Sequence, residues 1–475
     1  MNKQILFLCL WIIGFTIVGA CSNVDNGDVP EISDEDLALF YDPSLKCIQE
    51  ETTPNLTIRE GFVSQEEQVL RIVREGEAVA LVKLGKPTII AQAEQEYDWG
   101  FFQFPKIFRA EDGSLLVKWQ MKQDSPSAYG IDSYGRMVSK DEGITWGFLN
   151  EKFLDREQYY VEFSNGNILQ IKDPTTKPIS SFNIFPSPVN AQAISNHLFY
   201  YESELPEELK GAYLEYWDKN SRTVTTIHAK LDDPGLLRYS VGDEMPIVWW
   251  GDIREDKDGS LVSGIYPGYY QNTQGEVLNY GVSFYRSEDR GYNWKIIGKI
   301  PYQRDGLDPE ALVYDGSESF SEPSFEILGN GKYVCVMRTG FTSPLYIADS
   351  NDYGKHWSVP HPFTPNGVKP SLMSLGNGVL ALASGRPGIQ LRFNLDGDGK
   401  IWTEPIEMLP YVAENGSYTH TIRLWETCGY ASLLEVDNHT FYMVYSDFKQ
   451  KDSDGLYRKA IIFRRVEIIR KNNPV

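Results

Sequence analysis

The chain is predicted to be an all-β protein, a six-bladed β-propeller, because two repeats run along it in register. In the first, a short apolar run stops at a tight turn and restarts as a second apolar run. This happens six times, at Asp112-Gly113, Asn165-Gly166, Asp258-Gly259, Asn330-Gly331, Asn377-Gly378 and Asp437-Asn438. Asn, Asp and Gly accept the positive φ that a two-residue connection demands, so each site reads as a hairpin. The turns are spaced by roughly 50 to 90 residues, which fits one four-stranded blade per hairpin. The second repeat is Ser139-Lys-Asp141-Glu-Gly143-Ile-Thr145-Trp146, echoed at Ser287 to Trp294 and Ser350 to Trp357. A fourth copy, Asn394-Leu-Asp396-Gly-Asp-Gly399-Lys-Ile-Trp402, is stretched by one residue.

The chemistry of the form S-x-D-x-G-x-[T/N/H]-W is local. Asp caps the amides of its own turn, Gly turns the chain, and Trp staples the turn to the blade. These segments resemble the Asp-box (BNR) repeats found between the third and fourth strands of sialidase-type propeller blades. On that resemblance they are structural, on the face away from any site.

The remaining elements follow in chain order. Met1-Asn-Lys3, an apolar stretch over residues 5–18 and Val18-Gly19-Ala20-Cys21 resemble a bacterial lipoprotein signal ending in a lipobox. Residues 1–21 are therefore read as leader, with Cys21 as the lipidated residue. Polar, acidic residues 22–65 are read as a flexible linker, and 66–475 as the propeller. Residues 69–73 and 78–82 look like strands without a hairpin turn of their own. A ring must close, so this N-terminal material is expected to complete the last blade. Residues 205–214 are the one plausible short helix. The long gap after the second turn, containing Trp217-Asp218, is expected to hold a degenerate copy of the second repeat and an insertion.

Bulk properties narrow the function. A length of 475 residues, 41% of them hydrophobic, suffices for one large core. The net charge of -21 argues against nucleic acid or an anionic membrane surface as partner. Membrane contact is expected only through the lipid anchor, at a bacterial cell envelope, with the protein monomeric. Cys47, Cys335 and Cys428 allow one internal disulfide at most, and their spacing shows no metal pattern. No catalytic metal or cofactor is expected.

Aligning the blades on their turn residue locates candidate chemistry. Eight residues before the turn stand Pro105, Pro323, Pro370 and Tyr430. Seven to nine residues after it stand 120–122, Arg338, Gly385-Arg386 and 445–447. The first two strands of a blade are antiparallel, so Gln103, Lys122, Glu322, Arg338, Lys369, Arg386 and Tyr430 should converge at one mouth of the channel. Arginine forks hold carboxylate or sulfate, and a Glu beside a Tyr hydroxyl can take its proton.

Here the likeness to the sialidase superfamily becomes residue-specific, over about residues 95–470. Ser321-Glu322-Pro323-Ser324 with Arg338 is similar to the segment holding the Glu that activates the nucleophile and the second of three carboxylate-binding arginines. Gly429-Tyr430-Ala431-Ser432-Leu433 resembles the Tyr nucleophile segment. Arg386 matches the third arginine, with Arg392 as rival. The first blade departs: Phe102-Gln103-Phe104-Pro105 has Gln103 at the first arginine's place, and Lys122 stands where the family has another arginine. The acid/base carboxylate implied by the family is Asp124 or Asp132. His420 is a further candidate base, and Trp249, Trp250, Tyr266, Tyr269 and Tyr270 are candidate sugar platforms.

The resemblance implies an exo-glycosidase releasing a terminal, acidic sugar from a complex glycan, with Tyr430 as nucleophile, Glu322 as its base and Asp124 as acid/base. Losing a charge-assisted contact at Gln103 weakens carboxylate binding by roughly 1.5–3 kcal/mol, so poor turnover of N-acetylneuraminic acid is expected. Two alternatives stand beside this: a lyase acting next to a uronate carboxylate on the same fold, and a non-catalytic glycan-binding propeller.

Overall fold

The computed structural model describes residues 45–49, 67–149, 159–189, 197–278, 280–302, 319–340, 343–364, 367–386, 388–409 and 429–471. Cys21, His420 and Cys428 lie outside them. Apart from an inserted sheet, the described strands follow one another as antiparallel meanders, or blades; the second and third are joined into one eight-stranded sheet by parallel pairing of Lys230–Asp232 with Asn293–Lys295. The first blade is Phe101–Arg109, Leu115–Met121, Tyr134–Ser139 and Gly147–Phe148. The second is Tyr160–Glu162, Ile168–Ile171, Ala212–Asp218 and Thr223–Asp232; the third is Ile253–Glu255, Leu261–Gly268, Gly281–Ser287 and Asn293–Ile300. The fourth runs from Ser321–Gly329 to His361–Pro362, and the fifth from Val368–Ser374 to Ile406–Leu409.

The sixth blade combines the two ends of the chain. Ala431–Asp437, Thr440–Lys451 and Tyr457–Arg470 supply three strands, and the N-terminal strands Glu77–Leu84 and Thr88–Gln92 both pair with Tyr457–Arg470. The closing strand expected from the N-terminus is thus present. Gln68–Arg74 and Leu45–Gln49 then continue the same sheet outward. The last of these corrects the linker reading: part of residues 22–65 is paired backbone.

All six turns lie between the first and second strands of a blade, but most are longer than the two-residue connection expected. Gly113, Gly166, Gly259 and Gly378 each donate their amide to the carbonyl three residues back and hold φ between +79° and +84°. This is a type I turn followed by a left-handed glycine, the three-residue hairpin. Asn330-Gly331 is a true two-residue turn, with φ of 52° and 77° between paired Gly329 and Lys332.

The second repeat behaves as its chemistry dictates, between the third and fourth strands of blades one, three, four and five. Asp141 and Asp289 each accept the amide four residues on at 2.8 and 2.9 Å, and the Trp146 and Trp294 indoles donate to Gly143 and Gly291 carbonyls. In the stretched copy Asp398, not Asp396, makes the turn, accepting from Lys400 N and Asn394 Nδ2. Asp396 faces outward to Arg74 at 3.0 Å. In the second blade Asp218 caps the corresponding turn through Asn220 and Ser221, while Asn167 Oδ1 accepts Lys219 N.

The insertion there is a separate four-stranded sheet of Thr175–Pro178, His197–Tyr201, Leu237–Val241 and Glu244–Ile247. The expected helix over 205–214 does not form. Residues 202–204 and 207–209 are single 3-10 turns, and Ala212 starts a strand. Pro206 removes a donor and Gly211 turns with φ 67°, so Leu205 and Leu209 are buried from separate turns rather than from one helical face.

Packing between blades carries the core. Trp294, 1% exposed, packs on Trp249 with ring centres 5.4 Å apart, in a cluster joining blades two and three. Trp294→Ala is expected to cost about 3–5 kcal/mol, as large-to-small changes at buried aromatics do. Urea unfolding with an unchanged midpoint would show that this staple carries no load.

The innermost strands of all six blades line one central cavity of about 400 Å³. Hydrogen bonds between neighbouring blades tie its wall: Ser324 Oγ donates to Asp252 at 2.7 Å and accepts Leu372 N at 3.0 Å. Among the described residues no helix is long and apolar enough to cross a membrane.

Candidate active site

Three of the first strands carry a proline: Pro105, Pro323 and Pro370. Proline has no amide hydrogen, so a strand interior cannot keep its ladder there. The pairing register accordingly shifts between Gln103 and Lys106, Ser321 and Ser324, and Val368 and Ser371. Inside each bulge the residue before proline adopts a left-handed backbone: Phe104 at φ 54°, Glu322 at 47° and Lys369 at 43°. Such conformations cost of order 1–3 kcal/mol each for non-glycine residues and cluster at functional sites. Here the bulge turns Phe104, Glu322 and Lys369 toward one mouth of the channel.

These three side chains line a cavity of about 250 Å³ with Tyr430, Arg338, Lys122 and Asp124. Glu322 is its hub. Its Oε1 accepts the Tyr430 hydroxyl proton and Arg338 Nη1 at 3.1 Å, while Oε2 accepts the Lys369 amide at 2.9 Å. Arg338 is steadied by Nε donating to Gly340 O at 3.0 Å. Burial alone would raise the Glu322 carboxyl, but the Arg338 and Lys369 charges and the hydrogen bonds hold it below the usual range. Burial and the adjacent Glu322 carboxylate push the Tyr430 phenol well above its ordinary value, against Arg338 and Arg386. The pair therefore rests as neutral phenol and carboxylate.

Asp124 and Asp132 differ sharply. The Asp132 side chain is 77% exposed, bridged to Arg136 at 2.8 Å, and that hydrogen bond lowers its pKa. Asp124 lines the cavity and accepts Trp99 Nε1 at 3.2 Å. Burial raises its carboxyl; the Trp99 hydrogen bond opposes this, Glu322 adds to it, and Arg338 and Arg386 oppose it.

Lys369 Nζ lies 3.4 Å from the Tyr159 hydroxyl, with its pKa lowered by burial against the pull of Glu322 and Asp252. Lys122 Nζ donates to Ile131 O at 2.7 Å and stands 4.9 Å from the Tyr134 ring centre.

Gln103, wholly buried, does not line the cavity. It accepts the Gly100 amide on Oε1, because the bulge presents the next residue, Phe104, to the mouth. Phe104 packs edge-on against Tyr430 with ring centres 4.6 Å apart. Arg386 does not line the cavity either; it is 2% exposed, with its guanidinium 5.8 Å from the centre of the Trp99 ring. Arg392 is buried in the fifth blade, donating to Gln390.

Of the aromatic candidates, Trp250 and Tyr266 line the cavity. Trp249 and Tyr269 are blade and insertion core, and the Tyr270 hydroxyl is spent on Asp233 at 2.6 Å. Tyr129, Tyr134, Tyr159 and Tyr280 complete the wall and carried no sequence signal, since two of them, Tyr129 and Tyr134, sit in or beside loops and Tyr159 precedes a strand. Among the described residues no cluster of His, Cys, Asp and Glu could hold a metal ion. Cys335 is buried, with burial pushing its thiol well up.

No family model and no curated protein matches the chain. Solved structures do. The chain is similar to a Dyadobacter fermentans protein of unknown function, at 16% identity and a TM-score of 0.53, over 82% of this chain and 99% of that one. It is similar to a Hadza microbial sialidase (17%, 0.48, covering 85% and 73%) and to a Penicillium chrysogenum alpha-L-arabinanase solved with arabinobiose (16%, 0.45, covering 80% and 98%). At these identities the likeness is one of fold. The chain is an all-β propeller.

Proposed function

We propose that the protein is a retaining exo-glycosidase that releases a terminal sugar from a complex glycan. The observation that carries this is the Tyr430 hydroxyl donating to the Glu322 carboxylate in the same cavity as a buried carboxyl, Asp124, whose pKa is raised. Paired titratable groups pushed in opposite directions are what acid/base division of labour needs.

In the first half-reaction Tyr430 Oη attacks the anomeric carbon and its proton passes to Glu322. The bond to the aglycone breaks as Asp124 gives its proton to the leaving oxygen. In the second, water attacks the glycosyl-tyrosine and loses a proton to Asp124, while Tyr430 leaves and regains its proton from Glu322. Two inversions give net retention. Glu322 between Arg338 and the phenol supports this order, because a tyrosine this acid-weak needs a base in contact. Asp124 in the cavity favours hydrolysis over mere glycan binding.

The cavity's cations are Arg338, Lys369, Lys122 and Lys106, and an acidic group on the sugar would be met there. Phe104 stands at the mouth in place of an arginine, which supports poor turnover of N-acetylneuraminic acid. Gln103→Arg is not expected to restore it. A guanidinium placed in that wholly buried site would lack a counter-charge and destabilise the fold by about 3–5 kcal/mol. Thermal melts and a fluorogenic sialoside assay check both halves; a stable Gln103→Arg variant with gained turnover refutes them. The leader supports a lipid anchor at Cys21 and an address at a bacterial cell envelope.

The deciding experiment incubates the protein with glycans capped by sialic, ulosonic, uronic and neutral sugars and weighs the products. A released saturated sugar, first formed with retained anomeric configuration, is expected. An unsaturated uronate would install the lyase reading, and bound but uncleaved glycan the binding-protein reading.

A further inference from the structure

Trp99 sits on a turn that is pinned from three sides. Phe101 N donates to Asp98 O at 3.3 Å, and Lys459 Nζ donates to the Asp98 and Phe101 carbonyls at 2.7 and 3.1 Å. Buried Gln103 accepts the Gly100 amide. Gly100 has φ +95°, and a Cβ there would lie 2.4 Å from Lys122 O and 2.6 Å from Asp124 N. Only glycine lets the turn lie this close against the backbone that carries Asp124. From it the indole Nε1 donates to Asp124 Oδ2 at 3.2 Å, its ring stands 5.8 Å from the Arg386 guanidinium, and Phe448 closes its edge at 6.2 Å.

We propose that Trp99 is a positioning residue that aims the Asp124 carboxyl into the cavity, and that Arg386 acts on Asp124 through the same indole rather than on substrate. The proposal rests on Asp124 serving as the acid/base. Its physics is that an N–H donor favours the charged carboxylate, and that the electron-rich ring face fixes a cation whose field acts in the same direction. Both oppose burial, the main influence raising Asp124. The other groups facing Asp124 are Glu322 and Arg338 of the fourth blade and Tyr129, with Lys122 two residues away; Lys106, Lys369, Tyr430, the Tyr134, Tyr159, Tyr266 and Tyr280 phenols, and Asp173, which accepts the Tyr134 hydroxyl at 2.6 Å, share the cavity. In this arrangement Gln103, at the place of a family arginine, serves the site by locking the Trp99 turn.

The test labels the full chain with 5-fluorotryptophan and follows its fluorine resonances with pH. One indole signal is expected to titrate with a midpoint above the ordinary aspartate value of about 3.9. It should stop titrating in Asp124→Asn and disappear in Trp99→Phe. With an alkyl glycoside of the best sugar from the panel, whose poor leaving group needs protonation, Trp99→Phe keeps a ring for Arg386 but loses the donor. The alkaline limb of its kcat/KM profile should then move up by about one pH unit, the scale of a lost charge-assisted hydrogen bond. Gln103→Leu, which loosens the turn, should move it the same way by less. The proposal is overturned if no indole signal follows Asp124, or if the limb of Trp99→Phe coincides with that of the wild type. Should Trp99→Phe fail to fold, the comparison of wild type with Asp124→Asn decides alone. A sugar panel without turnover would strike the glycosidase reading and leave the fluorine titration standing.

Discussion

Tyr430→Phe should lose glycosidase turnover by roughly 10⁴- to 10⁶-fold in kcat, the scale on which removing a member of a covalent catalytic unit acts. The fold should barely notice. Glu322 keeps Arg338 and the Lys369 amide as partners, and a single lost hydrogen bond costs about 1 kcal/mol. The loss would therefore be chemical rather than structural, which equal melting temperatures of variant and wild type would establish. Incubating the wild type with an activated fluoro-sugar should leave a covalent adduct, and peptide mass mapping should place it on Tyr430. Wild-type turnover by the phenylalanine variant, or an adduct on another residue, would remove Tyr430 from the mechanism.

Asp124→Asn should lower kcat/KM by about 10²- to 10⁴-fold on substrates with poor leaving groups, the usual share of general acid catalysis. Activated aryl glycosides, which need little protonation, should lose far less in the first step. The pH dependence has a definite sign. Asp124 must be protonated to donate, and its folded pKa is raised, so activity falls as pH rises through that raised value. Glu322 must be ionised, and its pKa is lowered, so activity falls on the acid side only below the ordinary glutamate range. The wild type should show a bell, and Asp124→Asn should lack the alkaline limb. A limb that survives in Asp124→Asn belongs to another group.

Much of the candidate site's placement was visible before the fold. Counting from the turns brought Glu322, Arg338, Lys369 and Tyr430 to one mouth, because antiparallel strands of fixed length return to the same rim. The same counting failed at Gln103 by a single position. Pro105 breaks the ladder, the bulge absorbs a residue, and a shift of one in a strand exchanges the two faces. Arg386 was placed correctly along its strand but not in direction, since its partner Trp99 is a loop residue of another blade with no motif of its own. Asp124 and Asp132 were indistinguishable in sequence, because what separates them is burial.

What the sequence by itself determined is whatever is held together across two to five residues: the six turns, the Trp-stapled hairpins, and the strand periodicity that makes the chain a propeller. Their energetics are local, an Asp oxygen meeting an amide four residues on, so residue order suffices to encode them. Tertiary structure alone decided which residue of each proline bulge faces the channel, which carboxyl is desolvated, and where each arginine spends its charge. The Tyr430–Glu322 contact joins residues 108 apart, and the sixth blade joins the two ends of the chain. Desolvation and charge coupling depend on what surrounds a group in space, and that environment exists only once the ring has closed.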